Sequence, residues 1–82
     1  MSVAALHPRV REELDRHGVT VSADDTPAVL RERLNDLYLE EVRRLRERQR
    51  NGEIPLSEYA GHVAALRDRF PLLGLPLERW DE

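Results

Sequence analysis

Cysteine and lysine are both missing from this 82-residue chain. Without cysteine there are no disulfides and no thiolate metal sites. The 13 basic residues are all arginine, a pattern read as the coding bias of a GC-rich genome. Aromatics are scarce, with one Trp, two Tyr and one Phe, and none is interleaved with the arginines as base stacking would require. No apolar run approaches the ~20 residues of a membrane span, so no membrane partner is expected. The opening residues (MSVAALHPRV) lack the basic start and long apolar stretch of a signal peptide, which makes a cytoplasmic location the default expectation. The formal charge of −3 exerts no bulk pull on nucleic acid or anionic membrane.

Chemistry is equally sparse. There is no glycine-rich phosphate loop. Ser22 and Ser57 lack a nucleophile-elbow context, and the acidic residues do not single out an acid and a base. His7, His17 and His62 share no helical spacing that would bring two of them to one metal. Neither catalysis nor a cofactor or metal is expected.

What the chain does carry is helix. Residues 26–52 (TPAVLRERLNDLYLEEVRRLRERQRNG) read as one long helix with a start, a stripe and a stop. The Thr26 hydroxyl can cap the first turn, and Pro27 occupies a position whose N–H is not needed. Asp24 and Asp25 lie upstream, at the positive end of the helix dipole. At 100° per residue, Leu30, Leu34, Leu37, Tyr38, Val42, Leu45 and Gln49 share a face. Asn51-Gly52 ends the run, because glycine adopts the left-handed conformation cheaply. A helix over 27–51 is about 37 Å long, so something must cover its stripe.

A second helix follows over about 55–70, with Leu56, Tyr59, Val63, Leu66 and Phe70 at seam spacing. The connection is short, which predicts an antiparallel helical hairpin. This helix spans about 24 Å, leaving two turns of the long helix around Leu30 and Leu34 to be covered otherwise. A short N-terminal helix over about 8–17, carrying Val10 and Leu14, is one candidate. Val3 and Leu6 continue its stripe backwards, so an earlier start with a kink at Pro8 is the alternative. Residues 1–7 otherwise read as loosely ordered. The apolar C-terminal tail, residues 71–82 (PLLGLPLERWDE), is the other candidate, with a short turn expected from Pro76. Residues 19–25 alternate like a strand but have no partner, and read as an extended loop. The expected fold is all-α, a single small domain over 1–82.

Chains this short seldom bury enough apolar surface alone. With disulfides and cysteine-based metal sites excluded, oligomerisation or docking on a larger protein partner remains. Candidate interface residues are Leu39, Leu72, Leu73, Leu75, Leu77 and Trp80. Leu39 lies off the stripe, either as a singly exposed leucine or as a second contact face. Gly61 and Ala65 form a small pair on the back of the second hairpin helix, either tolerated there or admitting another helix.

The arginines at Arg43, Arg44, Arg46, Arg48 and Arg50 could hold phosphate, which makes a nucleic-acid or phosphate-binding protein the alternative function. They are spread around the helix, and Glu40–Arg44 and Glu47–Arg50 fit helical ion pairs, so a solvated helix end is the plainer reading. A small enzyme with a site shared between chains is a further alternative without a motif to support it.

Residues 45–66 (LRERQRNGEIPLSEYAGHVAAL) resemble the short helical hairpin called the SHOCT domain. That family shows a leucine-bearing helix, a G-x-I turn, then an acidic residue and an aromatic, here Gly52, Ile54, Glu58 and Tyr59. Pro55 stands where the family usually has Thr or Ser. The resemblance implies an assembly module of the kind usually appended to a larger protein. The expected function is a small non-catalytic interaction module, self-associating or serving as an accessory subunit.

Overall fold

The computed structural model describes residues 6–81; Val3, the backward extension of the first stripe, lies outside them. The chain is all-α, with helices α1 (Pro8–Arg16), α2 (Pro27–Arg50) and α3 (Leu56–Asp68), then 3-10 turns at Pro71–Gly74 and Leu77–Arg79. Its contacts gather into two compact units, one from Met1–Asn35 with Leu72–Glu82, the other from Asp36–Pro71. The helix α2 contributes to both.

Each helix end has a local cause. His7 is extended, with ψ 138°, and its Nδ1 accepts the Arg9 N–H at 3.1 Å. The helix therefore starts at Pro8 rather than earlier. At its far end Val19 N–H reaches Leu14 O and Gly18 N–H reaches Asp15 O, both at 2.9 Å, with Gly18 at φ +75°. This is the Schellman closure, and both Val19 and Leu14, whose backbones it joins, are buried. At the end of α2 the closure recurs, with Glu53 N–H to Arg48 O at 2.9 Å, Gly52 N–H to Gln49 O at 3.1 Å, and Gly52 at φ +81°. The start of α2 is capped by Thr26, whose Oγ1 accepts the Val29 N–H at 3.2 Å.

In the first unit the buried apolar side chains among the described residues include Leu6, Val10, Leu14, Val19, Pro27, Leu30, Leu34, Leu72 and Trp80. Both candidates for covering Leu30 and Leu34, α1 and the tail, belong to that unit. Residues 6 and 7 are not loose. His7 N–H donates to Trp80 O at 2.8 Å, and Leu6 forms an antiparallel bridge with Asp81. Residues 19–22 form no strand.

The second unit is the hairpin formed by α2 from Asp36 onward and α3, which pack against each other. Ile54, Leu66 and Phe70 are its buried apolar side chains among the described residues. Tyr38 meets Phe70 edge to face, with ring centroids 5.5 Å apart. Phe70 lies past the helix end, because a residue before proline is pushed out of the α region; α3 thus stops at Asp68 rather than 70. The seam also starts later than its spacing predicts. Leu56, expected in it, is 73% exposed, while Ile54 is buried. A helical side chain leans toward the N-terminus, so the first residue of α3 projects past the helix end. Ile54 turns inward instead, its N–H held on Arg48 O at 3.3 Å.

Candidate interaction surface

The expected interface residues separate into three groups. Leu72 and Trp80 are corrected: they are buried within the chain's own first unit, not exposed on the tail. Trp80 is 0% exposed, and its Nε1–H donates to Leu75 O at 3.3 Å. Leu73, Leu75 and Leu77 are half-buried. The backbone around them is tied down as well, since Arg31 Nη2 donates to Leu73 O at 3.2 Å. The tail is apolar because it forms part of a core, which is the cheaper fate for five large side chains within one short segment.

Leu39 is 50% exposed on α2. Leu37 is exposed too, although it belongs to the apolar stripe, and Tyr38, Val42 and Leu45 beside it are half-buried. On α3, Tyr59 and Val63 are half-buried in the same way. Gly61 and Ala65 are both exposed and, with Ser57, Glu58 and His62, line a shallow depression on the back of α3.

The five arginines of α2 are all exposed. Two face carboxylates: Arg44 pairs with Glu41 at 2.9 Å and Arg48 with Glu53 at 3.6 Å. These replace the Glu40–Arg44 and Glu47–Arg50 pairs that spacing predicts. Arg43, Arg46 and Arg50 make no ion pair among the described residues.

One polar cluster escaped the sequence reading. Asp25, treated there as a dipole complement, is buried, and its Oδ2 accepts from Ser22 N–H at 2.9 Å, Ser22 Oγ at 3.0 Å and Arg33 Nη1 at 2.9 Å. The Arg33 hydrogen bond, then the Ser22 backbone bond, hold its carboxyl below the usual aspartate range. The Ser22-x-x-Asp25 spacing is the signal that could have found it, because an acid three residues on reaches back to the N–H as in a capping box.

Among the described residues no group of three or more His, Asp or Glu side chains is placed to hold a metal ion, and no helix is long and apolar enough to cross a membrane. Compared with protein-family models, curated proteins and solved structures, the chain matches none. The likeness to the SHOCT hairpin therefore rests on the turn residues of 45–66 alone.

Proposed function

We propose that this protein is a small non-catalytic assembly module that self-associates by helix packing. The observation that carries the reading is the state of the α2–α3 hairpin. Its interior closes on Ile54, Leu66 and Phe70, while Leu37, Leu39 and Leu56 stay in water. Burying a leucine side chain is worth about 1.5–3 kcal/mol, so a second helical surface over Leu39, which lies about 160° around α2 from Leu37, stabilises both partners. One exposed leucine needs no explanation; three on one hairpin, beside five half-buried stripe residues, favour association. The carboxylates on Arg44 and Arg48 speak for a solvated helix end over a phosphate site.

Light scattering on a sizing column, over a concentration series, tests this. The expected result is a mass above that of one chain, which falls to a single chain in Leu39→Asp with helicity kept. A single-chain mass for the wild type throughout the series refutes self-association.

A further inference from the structure

We infer that two copies pair through α2 in antiparallel orientation, with a two-fold axis near Leu39 and Asp36 of each copy against Arg43 of the other. This rests on the self-association proposed above and specifies its geometry.

The argument starts from the charges that α2 leaves over. Arg44 and Arg48 are engaged by carboxylates of their own chain, and upstream Arg31 and Arg33 bond Leu73 O and Asp25. Asp36 and Arg43 are exposed and make no ion pair among the described residues. They flank Leu39, three residues before and four after. At 100° per residue, Asp36 lies about 60° and Arg43 about 40° to the same side of Leu39. The three side chains thus form one exposed patch, acidic at one end, apolar in the middle and basic at the other.

Such a patch is its own complement when reversed. A two-fold axis perpendicular to α2 at Leu39 inverts height along the helix and keeps the lateral side. Asp36 lies about 4.5 Å below Leu39 and Arg43 about 6 Å above, at 1.5 Å per residue. The partner's Asp36 therefore arrives within about 1.5 Å of the height of Arg43, well within the reach of an arginine side chain. Isologous pairing gives this contact twice, with Leu39 packed near the axis. Parallel pairing instead sets Arg43 against Arg43 and Asp36 against Asp36, which repels. The order of the charges left over along α2 agrees, since Glu32, Asp36 and Glu40 precede Arg43, Arg46 and Arg50, with Glu47 alone among the arginines.

Charge reversal in trans tests the geometry by sedimentation equilibrium at low salt, where exposed pairs are least screened. Asp36→Arg and Arg43→Asp should each weaken self-association roughly tenfold, with helicity unchanged. An equimolar mixture of the two variants should recover wild-type association, because each junction then joins opposite charges. The double variant Asp36→Arg/Arg43→Asp should recover it alone. If the wild type associates but neither mixture nor double variant recovers, the antiparallel geometry is overturned and self-association stands. A monomeric wild type overturns both.

Discussion

Replacing Trp80 by alanine removes the largest side chain that the chain buries completely. An aromatic of this size covers roughly 150–250 Å², which at about 25 cal/mol per Å² corresponds to about 4–6 kcal/mol of transfer free energy. Measured truncations of buried aromatics cluster at about 3–5 kcal/mol, because denatured chains already hide part of that surface. Its indole hydrogen bond to Leu75 O at 3.3 Å is lost as well, although that carbonyl can then take water. A domain of this length is stable by about 4–12 kcal/mol, so Trp80→Ala should remove at least about a quarter of the total. At roughly 4–8 °C per kcal/mol for a chain of this size, melting should fall by at least about 12 °C. The assay is urea and thermal unfolding followed by far-ultraviolet circular dichroism, since the substitution deletes the only tryptophan. Trp80→Phe, which keeps most of the apolar area, should lose less than half as much. A loss below about 1 kcal/mol for Trp80→Ala would refute the placement of the tail within the first unit's core.

Asp25 makes acid sensitivity testable. A carboxyl whose folded pKa lies below its unfolded value of about 3.9 contributes stability that is complete above that value and is lost as pH falls through the lower, folded value. The wild type should therefore lose stability below about pH 4 more steeply than Asp25→Asn; parallel melting curves for the two would dismiss the Arg33 and Ser22 contacts as the cause. Glycine substitutions should divide by backbone conformation. Gly52→Ala, at φ +81° with open space around the added methyl, should cost about 1 kcal/mol from the left-handed backbone alone. Gly61→Ala, helical and equally open, should stabilise by about 0.5–1 kcal/mol in denaturant titration. If Gly61→Ala also weakens self-association, the back of α3 belongs to the contact as well.

Much of the secondary structure was legible along the chain because its signals are local. Thr26-Pro27 and Asn51-Gly52 bracket α2, and the bonds that cap them span only three to five residues. Gly18 ends α1 by the same means. The antiparallel hairpin followed from the short connection after Gly52, and the cover over Leu30 and Leu34 from the difference in helix length. These inferences need only backbone geometry and periodicity.

Burial was a different matter. Nothing local distinguishes Trp80 from an exposed anchor; its place depends on His7 N–H meeting Trp80 O across more than seventy residues. Leu56 carries the correct seam spacing yet faces water, while Ile54, outside the repeat, is enclosed. Asp25 and Arg33, eight residues apart, pair because the chain turns between Ser22 and Asp25 and then enters α2. Sequence by itself determined both ends of α2 to within a residue and the stop of α1, since caps, prolines and glycines act within a turn. Tertiary structure alone decided which apolar and charged side chains are covered, because that depends on neighbours brought from the other end of the chain.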